Sequence, residues 1–399
     1  MPKLFNPPYK RGTGVSLVEL LVSLVIGLIV VLVVVNIFVM SKTSAALAEG
    51  RGRVHESGIV GMDYLQDDLR MIGHFGCVSD QALDNDTGGL SRLQTTFDTT
   101  RSALNFNISV QGYEATNTAP GNTINVTSLS TGGTGFSPTL PSDLATVLSD
   151  RVNSSDIIAL RYLNSRSVIA STTDNATFPT ITFPSAQWNA IADFDTTAGL
   201  MALSDCSSTT VFQASNTTAS AGSIKVLSSG LNTRGFTQVY ENQKARLYGA
   251  TSVVYYVGKA ANQAYPSLYR VRFVAAPGGA LQYQKDELIK GVESMQILYG
   301  QDRSTTTRLS GFMDRQQTAN TIQTSLATPQ ASWRRVGMVK VGVLLVDPNR
   351  SSSFQRAGDD FSDTGTIALQ GVNVTVPADQ HYRLPLEATV AIRNRLYGN

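Results

Sequence analysis

Residues 20–40, LLVSLVIGLIVVLVVVNIFVM, carry no charge and have only Ser23 and Asn36 as polar side chains. A helix of these 21 residues is about 30 Å long, one hydrocarbon thickness, so the stretch is read as a membrane span. An acid, Glu19, stands directly before it, where insertion costs roughly 2.5–3.5 kcal/mol. Ahead lies MPKLFNPPYKRGTG, with Lys3, Lys10 and Arg11 and no acid. A secretory signal has a shorter apolar region of about 7–15 residues, although Ala46-Leu47-Ala48 has the form of a small-residue cleavage site. A plain membrane anchor has no use for Glu19.

A basic leader ending in glycine, then an apolar helix with one early acid, resembles the N-terminus of type IV prepilins and type II secretion pseudopilins. The resemblance implies that a prepilin peptidase removes residues 1–14 between Gly14 and Val15. It implies N-methylation of Val15, which stands where Phe is usual, and makes Glu19 the fifth mature residue. In the family that acid docks on the terminal amine of a neighbouring subunit; pairing with the amine of its own helix is the simpler alternative. The expected divisions are a leader over 1–14, a transmembrane half-helix over 15–40, an amphipathic half over 41–77 and a β-rich head over 78–399.

The formal net charge of +2 comes from the leader: without its three cations, 29 basic side chains face 30 acidic ones. That balance does not call for nucleic acid as a partner. Cys77 and Cys206 are too few for a disulfide-dense scaffold, and His55, His74 and His381 have no ligand spacing, so no metal or cofactor is expected. Outside the cytoplasm a Cys77–Cys206 bridge is allowed; the alternative is two buried thiols.

Beyond the span, Val54, Gly58, Met62, Leu65, Leu69 and Ile72 recur at steps of three and four, which extends the helix to about Phe75. Gly50, Gly52, Gly58 and Gly61 mark 50–61 as the place for a bend or local melting. Residues 79–155 read as loops and short edge strands, and 303–330 and 351–371 as loops or insertions. Strands are expected at 156–163, 209–215, 223–228, 251–258, 268–274, 293–300, 336–346 and 386–394. The last alternates, with Leu386, Ala388, Val390 and Ile392 on one face. One long helix followed by spaced strands gives an α+β fold, an antiparallel sheet packed on the helix.

The segments LQDDLRMIGHFGC (65–77), SDIIALRY (155–162), SDCSSTTVFQ (204–213), LIKGVESMQILYGQD (288–302) and ATVAIRNR (388–395) resemble PilW-type minor pilins of type IV pili. That resemblance implies a structural role in initiating pilus assembly and in a priming or tip complex, without catalysis. Implied partners are the prepilin peptidase, other minor pilins and the major pilin through the N-terminal helix, and a tip adhesin. Implied locations are the inner membrane, with the head in the periplasm, and then the fibre or its tip. Adhesion and twitching motility are the associated behaviours. A type II secretion pseudopilin and a DNA- or surface-binding competence pilin are the alternatives.

No phosphate loop, nucleophile elbow, H-E-x-x-H or Cys-x-x-Cys occurs. The aspartates of 358–365 could face Ca²⁺, but their spacing departs from the EF-hand loop and a solvated acidic turn explains them more simply. The basic residues of 332–340 with Arg383, Arg393 and Arg395 are candidates for a DNA-touching patch. On strands interleaved with apolar positions, they read more simply as a solvated sheet face.

Overall fold

The computed structural model describes residues 14–77, 79–81, 92–126, 129–173, 177–192, 198–240, 243–304, 310–349, 365–377, 379 and 381–396. One helix, α1 (Leu17–Arg70), runs unbroken for 54 residues, about 80 Å. The longer strands of the two main sheets are β1 (Val110–Ala115), β2 (Ile157–Thr172), β3 (Leu200–Ser204), β4 (Thr209–Gln213), β5 (Ala245–Gly258), β6 (Ser267–Val274), β7 (Gln282–Lys290), β8 (Val292–Gln301), β9 (Val336–Val346) and β10 (Arg383–Ala391).

In the first sheet β5 is central and pairs antiparallel with β2, β3 and β6. Onto these β2 adds β1, β3 adds β4, and β6 adds β7 as an edge. The β2–β5 register is interrupted between Tyr248 and Ala250. On one side of that break the strands pack into the core around α1; on the other they enclose a distal core that includes Val168, Met201, Phe212, Ile224, Phe236 and Leu247. The second sheet runs β8–β9–β10, wholly antiparallel, with Arg315–Gln317 on the outer side of β8. A small third sheet, Thr366–Leu369, Val372–Thr375 and Thr123–Asn125, covers the second sheet's other face.

Packing explains the sequence of β9. Val339, Val341, Val343 and Leu345 join Leu65 and Leu69 of α1, while Leu344 meets Leu369, Val372 and Val374 of the third sheet. A strand buried on both faces reads as a continuous apolar run rather than an alternation. α1 draws on both main sheets, because its core also holds Tyr162 of β2 and Tyr255 of β5. The architecture is α+β.

Several sequence readings need correction. The helix spans Leu17–Arg70 instead of reaching from 15 to 75, and it has no break at 50–61. Two of the glycines there serve close approach: a Cβ on Gly58 would lie 2.5 Å from Leu386 Cδ1, and one on Gly61 would lie 2.0 Å from Ile289 Cγ1. Gly52 faces open space. Gly52→Ala is therefore expected to stabilise the chain by about 1 kcal/mol, the helix-propensity difference. Gly61→Leu is expected to destabilise it by about 2 kcal/mol through overpacking, and paired thermal melts read both.

Within 79–155 the described residues form more than loops and edge strands, since β1 is buried against β2 and a helix forms at Ser142–Val147. Residues 303–330 include the Arg315–Gln317 strand and the helix Ala319–Gln323. Within 351–371, residues 351–364 lie outside the described residues, which puts most of the 358–365 Ca²⁺ candidate there too. The remainder contains the strand Thr366–Leu369.

Candidate assembly interface

Residues 1–13 of the expected leader lie outside the described residues; Gly14 and Val15 precede the helix, and Val15 is exposed. Ser16 caps α1 in an extended conformation, its Oγ accepting from the Val18 amide at 3.3 Å. Glu19 folds back so that its Oε2 accepts the Ser16 amide at 3.1 Å, completing a capping box. A carboxylate suits this place because the first-turn amides have no intrahelical acceptor and the helix dipole is positive there. Glu19 is thus engaged within its own helix.

From Leu17 to Met40 every side of α1 is exposed, and the helix is long and apolar enough to cross a membrane. A helix apolar all round belongs in lipid or among other apolar helices. The Ser23 hydroxyl is satisfied locally, donating to the Leu20 carbonyl at 2.9 Å.

The outer half of α1 is clasped by polar bonds at several levels. Arg53 pairs with Glu49 on the helix and with the buried Asp347 just after β9, both at 2.9 Å. Fifteen residues further on, Asp68 accepts the Tyr162 hydroxyl at 2.7 Å and the Tyr255 hydroxyl at 2.5 Å, with Arg270 at 3.8 Å. Burial first, and then the Asp68 charge, raises both phenols above their ordinary range, which keeps them protonated donors. At the helix end the Asn394 amide donates to the carbonyls of Arg70 and Ile72 at 3.1 and 3.0 Å, supplying partners for two of the groups left open there.

Cys77 and Cys206 are joined, with Cα atoms 4.9 Å apart. Beside the bridge the Phe75 carbonyl accepts the hydroxyls of Ser204 at 3.0 Å and Thr209 at 2.8 Å. Arg395 reaches from the C-terminal helix Arg393–Leu396 to both carboxylate oxygens of the buried Asp80.

These contacts overturn the basic-patch and solvated-face readings for most of the arginines involved. Arg334, Arg383 and Arg395 are each 4 % exposed or less. Arg383 forks onto Glu293 and Asp379, and Arg334 and Arg395 lie on helices rather than strands. Arg393 is exposed. Among the described residues no group of three or more His, Cys, Asp or Glu side chains could hold a metal ion. Asp68, Asn394 and Arg395 have no local sequence pattern that marks them, since their partners are distant in the chain.

Residues 254–394 match the family model PilW, described as type IV pilus-assembly protein W. Over that stretch the chain is similar to PilW-type proteins. The match covers about a third of the chain, from within β5 to Asn394, and so takes in β6 to β10. Those strands and Asn394 supply much of the clasp around α1, whereas most of the distal core lies outside the match. No curated protein and no solved structure gives a match. The PilW-type region ties the chain to type IV pilus assembly, and the exposed apolar half of α1 fits membrane anchoring. The family is one of pilus assembly rather than of known enzymes.

Proposed function

We propose that this chain is a minor pilin that helps to initiate type IV pilus assembly and joins the priming or tip complex. The observation that carries the reading is the wholly exposed apolar half of α1, continuous with a half that a PilW-type region clasps. On this reading the peptidase cuts between Gly14 and Val15, the Val15 amine is methylated, and the head stays outside the cytoplasmic membrane. Other pilins meet the chain through residues 15–40.

Glu19 is then the docking charge. In the described chain its Oε2 is held by the Ser16 amide, a bond that an incoming cation on a neighbour can replace. A cation at that depth is strongly selected, because an unpaired carboxylate in apolar surroundings is costly.

Glu19→Ala is expected to leave processing and insertion unchanged and to lower recovery in sheared filaments at least tenfold. Mass spectrometry of the mature N-terminus, with immunoblots of membrane and sheared fractions, reads both quantities. Wild-type recovery of the variant in filaments would refute the docking role. A mature start at Glu49 would refute the prepilin reading itself.

A further inference from the structure

A second feature lies away from the assembly helix, where the first sheet meets the second. Asp156, just before β2, is buried and bonds in both directions. Its Oδ1 accepts the Ala115 amide of β1 at 2.9 Å and the Thr118 hydroxyl at 3.3 Å. Its Oδ2 accepts the Ile297 amide of β8 at 2.9 Å. The neighbouring backbone continues the seam: the Asp156 amide donates to the Met295 carbonyl at 2.8 Å, and the Met295 amide to Ser155 Oγ at 2.9 Å.

A second carboxylate, Glu114 of β1, is buried beside it. The Thr318 hydroxyl and the Ala319 amide, at the start of the helix Ala319–Gln323, act on it and favour its charged form, yet its Oε2 has no partner. The hydroxyls of Tyr113 on β1 and Tyr299 on β8 are also buried without partners. Tyr299 feels the charges of Asp156, Glu114 and Tyr113.

Four acidic groups therefore share this dry seam. Arg161 and Asp143 face it from the Tyr113 side, where the Arg161 guanidinium is held by the Ile108 carbonyl at 2.8 Å and by that of Ser102. Among the described residues neither Glu114 nor Asp156 forms an ion pair. Two buried carboxylates that feel each other's charge and have no paired cation cannot both be ionised cheaply.

We propose that Glu114 and Asp156 form a pH-dependent latch between the two sheets and the helix Ala319–Gln323, closed while the pair is protonated and loosened as the medium passes from weakly acidic to neutral. The Glu114 oxygen without a partner is the atom open to the proton.

The electrostatics give the direction. Burial raises the Glu114 carboxyl from 4.5 to about 7, and burial followed by the Glu114 charge raises Asp156 well above the ordinary carboxylate range. A raised acid binds its proton more tightly folded than unfolded. The contribution of Glu114 is therefore fully present below 4.5 and is lost as pH rises to about 7.

Hydrogen exchange of the full-length chain in detergent, at pH 5 and pH 7.5 and corrected for intrinsic rates, tests the latch. Protection of the Ala115 and Ile297 amides should be on the order of 10- to 50-fold greater at pH 5. In Glu114→Gln, which keeps an acceptor for Thr318 and Ala319, that difference should shrink to less than threefold. Equal wild-type protection at the two pH values would overturn the proposal whether or not the variant folds. So would a Glu114→Gln chain that keeps the full pH difference.

Discussion

Arg395→Ala is expected to destabilise the chain by about 3–5 kcal/mol, although the residue stands only four positions from the end of the sequence. Its guanidinium donates to both oxygens of Asp80, to Ser109 Oγ, and to the carbonyls of Trp333 at 2.8 Å and Val336 at 2.9 Å. Removing it leaves a fully buried carboxylate without its countercharge and two carbonyls without that donor. Burial by itself pushes the Asp80 carboxyl up. The Arg395 charge and hydrogen bonds, with Arg334 and Ser109, outweigh burial and hold it below the ordinary 3.8. A depressed acid contributes stability that is present above that value and lost in stronger acid. The comparison is urea unfolding of wild type, Arg395→Ala, and the pair Asp80→Asn with Arg395→Met. The double variant should recover more than half of the loss, because it leaves no buried charge unpaired. A single variant within 1 kcal/mol of wild type would show that the pair is idle.

Loss of the Cys77–Cys206 bridge should cost up to about 5 kcal/mol, since it closes a loop of 129 residues. The bridge fixes the segment after α1 to the turn between β3 and β4, so Cys206→Ala frees that turn while the α1 core keeps its own contacts. Calorimetry with and without a thiol reductant should give a large drop in Tm for wild type and none for Cys77→Ser/Cys206→Ala. Coincident melts of oxidised and reduced wild type would refute the contribution.

The sequence was most legible where burial is regular. The step pattern from Val54 to Ile72 marked the clasped half of α1, because one stripe of a helix faces one core. The β9 segment was placed at 336–346 because burial on both faces selects a near-continuous apolar run, interrupted at Lys340. The same logic hid β7, Gln282–Lys290, an edge strand whose side chains are mostly exposed and which therefore lacks alternation. β1 was missed because VQGYEA buries Gly112 and Glu114, residues that usually signal a turn or a surface. β2 continues nine residues beyond its expected end at Leu163. Polar Asn164 to Ser167 cross between the two cores there, and the apolar pattern resumes only at Val168. The candidate interface divides in the same way. Gly14, Val15 and Glu19 were singled out by the resemblance of this stretch to prepilins, and they remain proposals. The partners of Asp68 and Arg395 lie 59 to 315 residues away and leave no such trace.

The clasp also determines how the chain would carry tension. A pull on residues 17–40 enters the head along the axis of α1, from Arg53 at the near end to Asp68 about 22 Å further on. The bonds at these levels bear the load side by side, so no single bond takes all of it. What passes the end of the helix meets a covalent link at Cys77, which hands it to Cys206 without straining the chain between them. Cys206 lies in the turn between β3 and β4, whose Met201, Leu203 and Phe212 belong to the distal core, so load that outlasts the clasp is taken up by that second core.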